Sequence, residues 1–294
     1  MTKSEGLLRV CAAYVVALFT GGATLYLLDF GPLADALVAD LVATAVIFLF
    51  SRAYANSSFY DAYWSVLPPF LALYWLAVGP SSASSLRELL VLGLILYWAT
   101  RLTLNWAYFW EGIHHEDWRY VMLREKSPRW ALLTDLCGIH LFPTLQVFAG
   151  LLPVYAVYCL AEQTFGWLDI LACIITGGAV TLQMIADFQL HRFTGQRKPG
   201  QQLDTGLWGW SRHPNYFGEL GFWFGLFLFG LAAHPAGWYW YIAGIVLMTL
   251  MFLFASIPMM EQRSLERRPD YQNVIDSVSM LIPWPRKQPP AIQD

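Results

Sequence analysis

The chain has 294 residues, is 57% apolar and only 13% charged, and carries a formal net charge of −3. Soluble domains are about a quarter charged, so this composition argues for a membrane protein. The slight acidity excludes the basic balance that nucleic-acid partners need. A 16% aromatic share, with 14 Trp, suits interfacial belts and stacking surfaces.

Lys3 and Arg9 flank the start of a long apolar run. It superficially resembles a signal peptide, but it reaches Leu28 and outlasts a usual signal core. It reads as a first membrane span. Eight apolar runs follow one another at about residues 7–28, 36–51, 60–78, 86–109, 136–160, 170–190, 217–233 and 238–259. Most approach the ~20 residues that cross a ~30 Å hydrocarbon core, and the second and seventh are short. Helices are the spanning form, because barrel strands would alternate over about ten residues. The fold class expected is therefore all-α, a polytopic bundle of about seven to eight spans. No polar linker divides it, so residues 1–294 read as one membrane domain.

An even number of spans gathers nearly all basic residues on one side, from Lys3 and Arg52 through Arg119, Arg124, Arg192 and Arg212 to Arg286. The opposite loops hold Arg87 alone, with Asp29, Asp35, Glu162 and Asp169. By the positive-inside rule both termini are cytoplasmic. The four cysteines, Cys11, Cys137, Cys159 and Cys173, fall in apolar runs without a C-x-x-C pair, so neither a disulfide framework nor a zinc site is indicated. His114, His115, Glu116 and Asp117 suggest a metal at first sight, but adjacent positions do not share a helix face. No metal is expected.

Two long cytoplasmic loops, 110–135 and 191–216, are rich in polar, aromatic and basic residues, and long ordered loops are usually functional. The first reads as a lid, with Arg119 for phosphate, Trp118 for stacking and Asp117 for a ribose or an arginine. A salt-bridged solvated loop is nearly as good a reading. The second contributes Arg192, Arg197, Lys198, Arg212 and His213 to a cationic pocket suited to phosphate. Positive-inside sorting alone explains those charges. It does not explain Asn215 and Glu219, which stand four apart on one helix face at the head of a span. Buried polar groups at membrane depth are costly and usually functional. The C-terminal piece, 261–294, reads as a short helix and then an extended Pro-rich tail.

The stretch Arg212-His-Pro-Asn-Tyr-Phe-Gly-Glu219 resembles the C-terminal signature of the membrane steroid 5α-reductase and sterol reductase superfamily, most nearly its bacterial DUF1295 branch. Asp61-Ala-Tyr-Trp64, Tyr97-Trp-Ala-Thr-Arg101, Asn105, Glu116-Asp-Trp-Arg-Tyr120 and Ile282-Pro-Trp-Pro285 support the likeness, which runs from about Ser58 onward. R-H-P-x-Y-x-G also recurs in isoprenylcysteine methyltransferases. The resemblance implies NADPH-dependent reduction of a conjugated carbon–carbon double bond in a lipophilic enone, a 3-oxo-Δ4-steroid or similar polycyclic lipid. It implies a cofactor cavity open to the cytoplasm of a bacterial inner membrane. Asn215 and Glu219 would meet the cofactor's nicotinamide end, and Tyr216 would also touch the cofactor. Asp187 and Arg197 would also contact the cofactor, with Arg101, Asn105 and Arg119 matching more loosely. An acid and a tyrosine on neighbouring spans would act on the substrate carbonyl, and Asp61 and Tyr97 occupy similar places.

The chemistry has its own logic. Hydride reaches an enone's β-carbon only if the developing enolate oxygen meets a hydrogen-bond donor in a dry site. Asp61 reads equally well as a helix start after Asn56-Ser-Ser, and Tyr97 somewhat better as packing. No G-x-G-x-x-G or βα alternation is present, so a dinucleotide site would not be Rossmann-like. Beside the reductase stand an S-adenosylmethionine-dependent membrane methyltransferase and a non-catalytic lipid-binding or transport bundle. The latter should show an inverted repeat, and none is visible. Membrane lipids and the enone are the expected partners, with no nucleic acid and no obligate protein.

Overall fold

The computed structural model describes residues 2–80, 84–198 and 200–287, and all regular structure among them is helical. In chain order the helices are α1 (Lys3–Leu27), α2 (Pro32–Ala53), α3 (Tyr63–Val78), α4 (Ser85–Phe109), α5 (Trp118–Lys126), α6 (Pro128–Cys159), α7 (Trp167–Gln196), α8 (Pro214–Ala233), α9 (Pro235–Arg267) and α10 (Gln272–Ser277). Among the described residues, α1, α2, α4 and α6 to α9 are long and apolar enough to cross a membrane, seven in all. At 16 residues, α3 rises only about 24 Å. It nevertheless joins opposite ends of the bundle. Its entry is tied to the loop after α4, where the Asn56 amide donates to the carbonyls of Ile113 and His115. Its exit at Gly79 packs on the backbone of Tyr158 at the end of α6.

Local chemistry starts and stops these helices. Thr2 and Glu5 form a capping box on α1, while Pro32 and Pro214 open α2 and α8 where a missing N–H costs nothing. Two spans contain a widened π turn, Thr134–Leu141 in α6 and Phe252–Ser256 in α9. Helix α7 packs along the length of α8. Gly218, Gly221 and Gly225 present a bare face there, and a Cβ at Gly225 would overlap the Thr176 hydroxyl. Small residues are what allow spans to pack this closely in lipid.

Contacts sort the bundle into two ends. Lys3 donates to the Tyr108 carbonyl at 2.7 Å, so α1 starts where α4 stops. At the other end Arg87, only 1% exposed, pairs with Asp169 at 2.6 Å at the start of α7. It also donates to the carbonyls of Gln163, Thr164 and Ala232. We call these the loop end and the staple end. The loop end gathers the basic segments that the charge asymmetry groups together.

Two boundaries differ from the sequence reading. Helix α7 runs on to Gln196, so Arg192 lies on a helix rather than in a long loop. The C-terminal piece continues α9 to Arg267, forms α10, and then doubles back without helix over residues 278–287, where the Lys287 N–H donates to the Ser277 carbonyl. The tail beyond it, 288–294, and Pro199 lie outside the described residues.

Candidate functional site

A cavity of about 530 Å³ lies in the loop end, within the range of small-molecule sites. The turn before α3, the inner face of α4, the 110–126 segment, α6, α8 and α9 wall it. Both π turns reach it, through Gly138 and Ile139 on one side and Phe252 and Ser256 on the other. Such turns re-aim side chains and often occur at functional sites.

One wall is built from the turn Ser57–Tyr60. Asn56 caps it by accepting from the Ser58 N–H at 2.8 Å, and Asp61 follows just outside the α3 helix. The 110–126 segment folds onto this turn. Ser58 Oγ accepts from the Asp117 N–H at 3.0 Å, and Glu116 accepts from the Ser57 N–H at 2.7 Å. Arg124 bridges Glu116 and the buried Asp135. This docking brings the Tyr120 phenol to Asp61, to which it donates at 2.6 Å. Burial, reinforced by the charge of Asp117, pushes the Asp61 carboxyl up to about 6, against the hydrogen bond from Tyr120. Burial acts on Asp117 too, but bonds of 2.7 and 2.9 Å from Arg119 outweigh it and hold that carboxyl below its usual range.

A second wall is polar and spans α4, α7 and α8. Arg101 donates through Nη1 to Asp187 at 2.7 Å, while its buried Nε has no partner. Asn105 accepts from His191 Nε2 at 2.8 Å. Glu219 is 5% exposed and accepts from the indoles of Trp98 at 3.1 Å and Trp223 at 2.9 Å. Asn215 faces the same space one turn earlier. The Tyr216 ring lies nearly parallel between His213 and Phe252, at 5.3 and 4.5 Å between centroids.

Of the residues singled out from sequence, Asp61, Arg101, Asn105, Asp117, Arg119, Asp187, Asn215, Tyr216 and Glu219 meet at this cavity. Tyr97 does not. It lies in an outer groove between α4 and α7, with its hydroxyl 3.3 Å from Thr181. One residue turns a helix by about 100°, so Trp98 faces inward where Tyr97 faces out, and Arg101, one turn on from Tyr97, borders both the groove and the cavity. Tyr120 stands where the sequence reading expected Tyr97. Arg192 lines the same outer groove. Trp118 lies beneath the Arg263 guanidinium at 3.8 Å rather than on the cavity wall.

Arg212 and His213 serve as anchors. Arg212 binds Glu261 at 2.6 Å and the carbonyls of Ile275 and Val278, and His213 donates to Glu261 at 3.1 Å. Their signal in the sequence was positive charge before a span, which does not distinguish an anchor from a ligand contact. Among the described residues, Arg197, Arg263, Arg267 and Arg268 make no side-chain ion pair, though Arg263 lies over Trp118 and Arg268 over Tyr271. Burial together with the charges of Arg197 and Arg267 pushes Arg268 down. Lys198 adjoins this group in sequence, its side chain unpaired. Gln146, which the sequence reading passed over, also lines the cavity. A carboxamide inside an apolar run was its available signal.

Seven helices long and apolar enough to cross a membrane, with a cavity at one end of the bundle, define an integral membrane protein. The family described as protein of unknown function (DUF1295) matches residues 47–278, and the chain belongs to it. An uncharacterized protein of Schizosaccharomyces pombe is 29% identical over 253 residues, covering 78% of this chain and 73% of that protein. No solved structure matches.

Proposed function

We propose that the cavity is the active site of an NADPH-dependent reductase. Its substrate is a lipophilic ketone with a conjugated carbon–carbon double bond, of the 3-oxo-Δ4-steroid type. The loop end faces the cytoplasm of the bacterial inner membrane, where the cofactor is available. The observation that carries the reading is the Tyr120–Asp61 pair in a cavity whose other walls present Asn215, Glu219 and Arg101.

The residues fit the cofactor. Arg101 keeps a buried N–H without a partner, Asn215 and Glu219 offer a carboxamide and a carboxylate on one face, and Arg119 adds a second guanidinium to the lining. Arginine clusters of this kind suit phosphates. When bound, NADPH supplies hydride to the substrate's β-carbon. Tyr120 donates its phenolic hydrogen bond to the carbonyl oxygen, where negative charge develops. For this, protonated Asp61 donates to the phenol oxygen, the reverse of the bond in the resting structure, and a proton from water at the α-carbon completes the saturated ketone. Trp64 and Trp106 keep this wall apolar. A dinucleotide and a polycyclic lipid together exceed 530 Å³. The reading therefore places the nicotinamide end, not the whole dinucleotide, inside the cavity with the substrate.

The test is NADPH oxidation by the purified protein with a panel of lipophilic enones. Substrate-dependent loss of absorbance with a saturated ketone as product supports the reading. Methyl transfer from S-adenosylmethionine without NADPH consumption replaces it with the methyltransferase reading.

A further inference from the structure

Gln146 is 2% exposed on the α6 wall of the cavity. Its Oε1 has no hydrogen-bond partner, and its Nε2 donates only to the thioether sulfur of Met248 at 3.0 Å. Thioether sulfur is a weak acceptor. Rotating the amide exchanges the two ends without pairing both. Apolar residues, Ile139, Pro143, Val147 and Met251, surround it on the cavity surface. Leaving a buried amide so poorly matched is unfavourable, and a leucine would pack the same wall without that cost. The amide also stands on a different helix from the Asp61–Tyr120 pair.

We propose that Gln146 is a specificity residue that reads a hydroxyl group on the substrate, remote from the carbonyl that Tyr120 holds. A hydroxyl both donates and accepts, so it matches the amide in either orientation. A ketone satisfies only the Nε2 end, and a hydrocarbon satisfies neither. The substrate class is thereby narrowed to a lipophilic enone carrying a second, hydroxylated end. This rests on the cavity being the substrate site as proposed above.

Three probes test it: 3-oxo-Δ4-steroids whose far end carries a hydroxyl, a ketone or only hydrogen. Binding to the purified protein without cofactor is followed by quenching of tryptophan fluorescence, since Trp64 and Trp106 line the cavity. The wild type should prefer the hydroxyl probe over the hydrogen probe by about tenfold. Gln146→Leu should abolish that preference while binding the hydrogen probe at least as tightly. Gln146→Glu, which keeps an acceptor, should retain a preference, and Gln146→Met substitutes if the leucine variant does not fold. An unchanged preference in Gln146→Leu or Gln146→Met overturns the proposal, as does a wild type that binds and reduces all three equally. A wild type that prefers the hydroxyl probe yet consumes no NADPH keeps the inference and removes the reductase reading. A wild type that binds none of the three overturns both.

Discussion

Two buried arginines set the ends of the bundle apart. Arg87 at the staple end reaches both oxygens of Asp169 and three backbone carbonyls. Arg101 at the loop end makes one bond to Asp187 and leaves a buried N–H unmatched beside the cavity. Both are buried cations on α4. The first is saturated by its own chain and joins α4 to α7 and α8. The second retains capacity for something the chain does not supply. Saturation, rather than burial, separates architecture from a binding site here.

The comparison breaks if the two arginines respond alike to removal. Arg87→Met strands a buried Asp169 and should cost about 3–5 kcal/mol, seen as a large fall in the unfolding midpoint in detergent. Adding Asp169→Leu should restore most of it. Arg101→Met should unfold closer to the wild type. Equal losses for the two single variants would erase the distinction.

The next largest effect concerns turnover. Losing one donor to a developing oxyanion costs about 2.7–4 kcal/mol. Tyr120→Phe should therefore lower the enone reduction rate by about 10²–10³. Tyr97→Phe, in the outer groove, should stay within about twofold of the wild type. If Tyr97→Phe is the slower variant, the carbonyl donor has been placed on the wrong helix.

Cofactor affinity comes third. Charge-assisted bonds are worth about 1.5–3 kcal/mol, so Arg101→Met should weaken NADPH binding about ten- to a hundredfold in a fluorescence titration. Arg212→Met should act mainly on stability, since its partners are Glu261 and two carbonyls. An Arg212 variant that unfolds normally but loses cofactor would return that residue to the site.

The smallest effect is on pH dependence. Asp61 is raised to about 6 by burial and by the charge of Asp117, so its acid form is favoured below that value and lost above it. Single-turnover reduction should therefore slow as pH rises through about 6. Asp61→Asn should flatten the profile, and a profile that keeps its shape in that variant would locate the titration elsewhere.

The helical fold was legible because spans are read by length and apolarity, and both survive folding unchanged. Asn215 and Glu219 were legible for a related reason, being polar groups that a span does not tolerate without purpose. Tyr97 was misplaced because aromatics are common throughout this chain, and a rotation of one residue on α4 moves a side chain from cavity to outer groove. Tyr120 stood in a quoted motif but in a loop, and its position depends on how the 110–126 segment folds onto Ser57 and Ser58. The part of Arg212 likewise depends on Glu261 and residues 275–278, far away in sequence. Contacts across such separations leave no local pattern.

Those late partners bear on biosynthesis. Ser211 donates to the Leu281 carbonyl, the Arg212 N–H to Ser279, and the Trp284 N–H back to Trp210. During translation, all the spans emerge from the ribosome before these residues do. The turn 210–212 ahead of α8 therefore enters the membrane without its final partners. Nascent chains halted just after α9 would carry every span and still lack the contacts that anchor that turn.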